Sequence, residues 1–339
     1  MKSSEKKVTL NDVANHSGVS YQTVSRVINE HPSVADSTRK RVRESIQELN
    51  YRPNRAARSL VTNRSDTIAI ISFGTSFYGP AQILSNITHH AKNSGYRVSP
   101  SMVQKLKRKD VKLALDELHG QLIDGIIMIA PIVSDFMLEI SELVGDIPFV
   151  QIDTQPQEDI ASVVIEQAYG SMLATRHLID LGHRQIAEIS GPLNWYDGIM
   201  RHQSWVDTMD EYNLPHDMSA EGNWSAKSGY EALRSLLKNG AKFTGLVVAN
   251  DQMALGAIAA LNEANLRVPQ DVSVVGFDDI PEAAYYLPAL TTIFQDFSAL
   301  GKHAVEYLVS LMEDQEIAID HRVLYPELII RNSTVSLKD

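Results

Sequence analysis

Apolar residues recur along this chain in two rhythms, and the change of rhythm divides it. Over the first fifty residues they fall three and four apart, the spacing of one helix face. In "TLNDVANHS", Leu10, Val13, Ala14 and Ser17 share a face. Thr9 stands as N-cap with Asp12 three positions on, close to a capping box. "GVS" makes a turn, and Ser20 caps a second helix with the stripe Val24, Val27 and Ile28. A third helix, about 36–49, buries Val42, Ile46 and Leu49 and shows Arg39, Lys40, Arg41 and Arg43. "NYRPNRAARSLVTNRSD" then offers Pro53 in the first turn of a short piece, Asn54 to Leu60. A piece of about two turns is marginal alone in water, so it folds against a partner or serves as a flexible linker.

Beyond residue 63 short apolar runs alternate with helical segments. "DTIAIIS" reads as a buried strand, followed by a helix from Gly79 to Ser94. "YRVSPSM", "DGIIMIA" and "PFVQID" are strands separated by helices at 108–120 and 134–144. A second series runs through "ASVVIE", "QIAEIS", "GLVVAN" and "VSVVGFD", with helices at 168–181, 198–212, 226–239 and 251–264. This alternation predicts an α/β fold of parallel sheets, arranged as two similar subdomains. "LTTIFQDF" and "RVLYPELII" cross back between them. Ligands in such folds sit beyond the carboxyl ends of the strands. That points to Asp153, Asn250, Asp251, Asp278 and Asp279, each ending an apolar run.

The chain has 339 residues, 44% of them hydrophobic, enough for two or three cored units. With no Cys there are no disulfides, thiol nucleophiles or thiolate metal sites. The amino terminus lacks the apolar core of a secretory signal, and no run is long enough to span a membrane, so a cytoplasmic location and no membrane partner are expected. No phosphate-binding loop, nucleophile elbow, HExxH zinc motif or dinucleotide fingerprint is present, so no enzyme activity and no cofactor are expected. His89–His90 lacks metal-ligand spacing.

Charge is unevenly placed. Net charge is −11, yet residues 1–64 hold 12 Lys and Arg against six acids, a balance of +6. The rest holds 19 against 36, or −17. A basic head can neutralise phosphates while an acidic body stays off DNA. On charge alone a solvated basic terminus is an equal reading. The second helix separates the two. Gln22, Ser25, Arg26 and Asn29 lie opposite its buried stripe, with Tyr21 at its edge. Two helices joined by a Gly-containing turn, the second polar outside, form the helix-turn-helix pattern. Arg26 suits a guanine edge and Gln22 an adenine edge. Leu60 is a candidate minor-groove wedge.

"VTLNDVANHSGVSYQTVSRVIN", "LNYRPNRAARSL", "LGHRQIAEISGP", "VANDQMALGA", "VSVVGFDDI" and "LTTIFQDF" together resemble the LacI family of bacterial repressors, from about residue 6 to 335. "EGNWSAKSG" and "VANDQMALGA" are similar to its galactoside-responsive members in particular. The resemblance implies a helix-turn-helix head (1–49), a hinge (50–62) and a core (63–339) like periplasmic sugar-binding proteins, with two doubly wound parallel-sheet subdomains. These would span about 63–165 with 297–324, and 166–293 with 325–335. It implies that Tyr21, Gln22 and Arg26 read bases, and that Thr9, Ser20, Thr23, Ser25 and Asn29 contact backbone or base edges. Asn54, Arg55 and Leu60 join them from the hinge. In the cleft, Asp153, Arg201, Asn250 and Asp278 would bond sugar hydroxyls, with Gln295 as a further polar contact. Trp224 and Phe297 would pack on the ring. Phe77, Gly79, Pro80 and Ile83 would face an aglycone or second sugar.

Phe77 is bulkier and Ile165 smaller than those relatives lead one to expect, and Asp197, counted with the ligand residues, adds a charge near the sugar where they carry Ser. Asn11, Ser33 and Ala35 also differ, which bears on the operator. The chain stops at Asp339 without an apolar heptad tail, so a homodimer on a pseudo-palindromic operator is expected. The expected function is a repressor of a sugar-utilisation operon, released by a galactoside-type inducer. A regulator of another sugar, or one with a corepressor, would share these motifs. A secreted sugar-binding protein or an enzyme with a DNA-binding appendage would not.

Overall fold

In the structure, a computed structural model describing residues 8–29, 31–52, 64–104, 107–119, 121–131, 140–152, 154–314 and 317–337, the chain divides into two units, Met1–Ser65 and Asp66–Asp339. The first is built from α1 (Leu10–Ser17), α2 (Tyr21–Ile28) and α3 (Asp36–Glu48). The Thr9 side chain accepts from the Asp12 N–H, and the Asp12 carboxylate accepts from the Thr9 N–H, so the capping box is complete. Gly18 ends α1 with φ +64°, a left-handed turn that a side chain would strain. Val13, Ala14, Val24, Val27, Val42 and Tyr51 close the core. Ile46 and Leu49, expected inside, are half-buried, and Ser45 takes an inner place beside His16. The expected hinge positions Asn54, Arg55 and Leu60 lie outside the described residues.

The second unit begins with β1 (Thr67–Phe73), α4 (Tyr78–Asn93), β2 (Arg97–Val103), α5 (Arg108–His119), β3 (Gly125–Ile129), α6 (Ile140–Val144), β4 (Phe149–Ile152) and β5 (Ser162–Ile165). It continues with α7 (Gln167–Asp180), β6 (Ile186–Ser190), α8 (Tyr196–Glu211), β7 (Ser219–Glu221), α9 (Ala226–Lys238), β8 (Gly245–Val248), α10 (Asp251–Glu263) and β9 (Ser273–Val275). Last come β10 (Thr292–Phe294), α11 (Phe297–Glu313), β11 (His321–Leu324) and β12 (Glu327–Ile329).

Two parallel sheets result, ordered β11-β5-β4-β3-β1-β2 and β7-β6-β8-β9. Each is covered on both faces, which is why inner strands such as β1, β3 and β8 are apolar on both sides. On the first sheet α4 and α11 cover one face, and α5 and α6 the other. On the second, α9 and α10 oppose α7 and α8. Helices α9 and α10 cross at bare backbone: a Cβ at Gly229 would meet the Met253 carbonyl at 2.1 Å. The chain passes between the lobes three times, after β5, after β10 and between β11 and β12.

One expectation changes. "ASVVIE" does not open the second series; β5 pairs with β4 and β11 in the first sheet. "RVLYPELII" does cross between the lobes, splitting at Tyr325–Pro326, with β11 in the first sheet and β12 pairing antiparallel with β10. Helix α11 and the three-residue β7 were not anticipated.

Candidate functional site

The carboxyl ends of the strands of both lobes converge on one cleft. Its lining comprises Phe77, Tyr78, Gly79, Pro80, Trp195, Asp197, Arg201, Trp224, Asn250, Asp278, Gln295 and Phe297. Phe77 to Pro80 open α4, just beyond β1. Trp195 is the N-cap of α8, and Asp197 and Arg201 lie one turn apart within it. Trp224 follows β7. Asn250 caps α10, its side chain accepting from the Met253 N–H at 2.9 Å and donating to the Trp224 carbonyl at 3.1 Å. Asp278 follows β9, and Phe297 opens α11. Trp224, Asp278 and Asp279 adopt φ of +70°, +103° and +50°, a region costly for residues with side chains. Such outliers gather where surroundings force a geometry.

Arg201 organises the polar half. Its guanidinium lies 3.7 Å from the Phe277 ring centroid, and its Nε donates to Gln167 at 2.9 Å. Nη1 donates to the Ala249 carbonyl and stands 3.7 Å from Asp278, while Nη2 is 4.0 Å from Asp197. Gln295 donates to Asp278 at 2.7 Å and accepts from Gln167 at 3.0 Å. Burial pushes Asp278 up to about 7 against the pull of Arg201. Burial also raises Asp197, again opposed by Arg201. Two buried polar atoms are left without a partner here, Asp197 Oδ1 and Trp224 Nε1. The apolar half is made by the rings of Phe77, Trp195, Trp224 and Phe297. Acceptors, donors and flat rings around one space fit a neutral ring with hydroxyls on its edges and C–H groups on its faces.

Ten of the twelve expected ligand residues thus line one cleft. Asp153 lies outside the described residues. Ile83 does not line the cleft: it sits one turn deeper in α4, fully buried in the first lobe. Asp251 and Asp279, also at strand ends, have structural duties. Asp251 accepts from Thr292 and the Ile280 N–H, and Asp279 pairs with Arg331 at 2.7 Å. Tyr78, Trp195 and, behind them, Gln167 were missed. Trp195 was within reach, since it follows a strand end two residues before Asp197.

On the head, Tyr21, Gln22, Arg26 and Asn29 form an exposed face of α2, with Ser25 half-buried among them. Ser20 and Thr23 share a 2.9 Å hydrogen bond, and Thr9 Oγ1 donates to Asp12, so these hydroxyls shape the helix starts.

Comparison with known proteins gives a consistent result. Residues 9–54 match the pattern of bacterial regulatory proteins of the lacI family, and residues 175–334 that of the periplasmic binding protein-like domain. The chain is 37% identical over 329 residues to the lactose operon repressor of Escherichia coli K12, covering 97% of this chain and 91% of that one. It is 34% identical over 334 residues to the transcriptional repressor PurR of Histophilus somni 2336, covering 97% and 99%. Among solved structures, the lac repressor dimer bound to operator and the anti-inducer ONPF superposes with a TM-score of 0.91 at 36% identity, covering 98% of this chain and all of that one. Head, core and these relatives together show that the chain belongs to the LacI family of bacterial regulatory proteins.

Proposed function

We propose that this regulator represses a sugar-utilisation operon and that a galactoside-type ligand in the cleft releases it from its operator. The observation that carries the ligand reading is the pair of buried unpartnered atoms, Asp197 Oδ1 and Trp224 Nε1, beside the Arg201–Asp278 pair. One is an acceptor and one a donor, and ligand hydroxyls satisfy both. A homodimer presents two α2 helices to two half-sites of a pseudo-palindrome, with residues 50–62 as hinge. Arg26 and Gln22 read base edges, and Asn54, Arg55 and Leu60 act from the hinge. DNA as partner places the protein in the cytoplasm, and the cleft works without chemistry on its ligand. The sugar shifts the balance between two arrangements by its difference in affinity for them, and by no more than that.

A second reading has support from the relatives, which include repressors of the PurR type as well as the lactose operon repressor. A corepressor would tighten DNA binding. One experiment separates the two: operator binding by fluorescence anisotropy at fixed salt, with and without a saturating galactoside. We expect release, by about tenfold or more in affinity. Unchanged binding removes the galactoside, and tighter binding reverses the switch.

A further inference from the structure

Trp195 reaches across the cleft. It belongs to the second lobe, on the turn between β6 and α8, yet its ring lies 5.7 Å from Phe73 and 5.3 Å from Phe77 of the first lobe. On its own side it meets Trp224 at 5.8 Å. It rests on bare backbone, for a Cβ at Gly74 would stand 2.7 Å from its Cη2. The next residue adds a second tie across the cleft: the Tyr196 N–H donates to the Pro131 carbonyl beyond β3.

The space enclosed around these groups is about 30 Å³. That holds a water molecule or two, whereas ligand pockets run to several hundred, roughly 300–1,000 Å³. The polar partners of a ligand are already assembled there; what is short is room. Arg201 is pinned over Phe277, and Trp224 is fixed through its carbonyl to Asn250. Phe77 and Phe297 begin helices. Trp195 caps α8 as Phe77 caps α4, but it follows two exposed residues, Leu193 and Asn194, on the turn from β6.

We propose that Trp195 is the gate of the effector cleft, and that a ligand enters by displacing its indole from Phe73, Gly74 and Phe77. The gate also selects. A glycoside with a flat apolar aglycone takes over the surrendered contacts with Phe77 and Trp224, and a bare monosaccharide does not. Because the same indole bridges the lobes, entry removes an inter-lobe contact in the same step. The gate rests on the galactoside reading only for its choice of probe, and its selective part rests on that reading itself.

The test uses the full-length protein and its Trp195→Ala and Trp195→Phe variants. Calorimetric titration with methyl β-galactoside and a nitrophenyl β-galactoside reads the gate directly. The wild type should prefer the aryl ligand by about tenfold. Trp195→Ala should bind both ligands about tenfold more tightly, with Trp195→Phe between. Weaker or unchanged binding in Trp195→Ala would make the indole a platform or a bystander and overturn the gate. Absence of an aryl preference in the wild type would overturn its selective part. Hydrogen exchange of the 191–199 segment without any ligand gives an independent readout. It should be about tenfold faster in Trp195→Ala, and faster too in Trp195→Phe, while β8 stays protected. If neither galactoside binds any of the three proteins, the galactoside reading fails, and exchange alone then decides the gate: unaltered exchange removes it.

Discussion

Asp278 is held by groups that disagree about its proton. Burial favours the neutral acid and raises it to about 7, while Arg201 and the Gln295 amide favour the carboxylate. A carboxyl raised in the fold contributes stability that is fully present below its unfolded value near 3.8 and lost as pH rises through about 7. Thermal unfolding of Asp278→Asn should therefore show a flatter pH dependence than the wild type between pH 4 and 7. The same variant should bind a galactoside some 10- to 100-fold more weakly, the cost of a lost hydrogen bond to a charged group. An unchanged slope would mean that the carboxyl is not buried as described. At this scale the sequence was informative about type and less so about duty. Strand-end position singled out Asp251, Asp278 and Asp279 alike, but only their partners distinguish the acid that lines the cleft from the two that fasten Thr292, Ile280 and Arg331. Ile83 shows the same limit: the family resemblance set it beside Gly79 and Pro80 but could not say that its turn lies beneath the cleft.

Among the elements, α2 shows most directly how local sequence makes a surface. Ser20 accepts from the Thr23 N–H at 3.2 Å and starts the helix, and Val24 and Val27 hold its back. Its front is then Gln22, Arg26 and Asn29. Ser20→Ala should lower head stability by about 1 kcal/mol, read by calorimetry. It should weaken operators of differing sequence alike. Arg26→Ala should instead cost about 1–3 kcal/mol at one base pair and relax preference there, seen by titrating operators altered one position at a time. Equal losses on every operator would assign Arg26 to phosphate. The three head helices were legible because their stripes, and in α1 and α2 their caps, are written within a few residues. Sheet membership is not local: β5 reads like any buried parallel strand, and only pairing with β4 and β11 tells which lobe owns it. Helix α11 did carry a helical stripe in Leu300, Ala304, Val305 and Leu308. Its start is hidden in "LTTIFQDF", which reads as one crossing segment although Phe297 at its end is the first residue of the helix.

For the molecule as a whole, the two charge balances, +6 on residues 1–64 and −17 on the rest, set the conditions for DNA binding. Head cations displace counterions from the duplex, so operator affinity should fall steeply and linearly on a logarithmic salt axis, by about 10³-fold or more between 50 and 200 mM. Lys40→Ala, away from the α2 front, should make that slope shallower by about one if Lys40 meets a phosphate, with sequence preference intact. An unaltered slope would remove Lys40 from the contact. The lobed α/β architecture followed from the alternation of strands and helices, and the cleft from the rule that ligands sit at strand ends. The closing geometry did not follow, because Trp195 meets Phe73 and Phe77 from more than a hundred residues away.

The three passages between lobes also set an order of events during synthesis. The first lobe begins with β1 but draws α11 and β11 from the far end of the chain. While the ribosome is still making the second lobe, the first lacks its edge strand and one of the two helices that cover one face of its sheet. The lobe made first is thus completed last. Until α11 emerges, Ile127, Val150 and Val163, on the strands that α11 packs against, face the cell as an apolar surface that chaperones recognise.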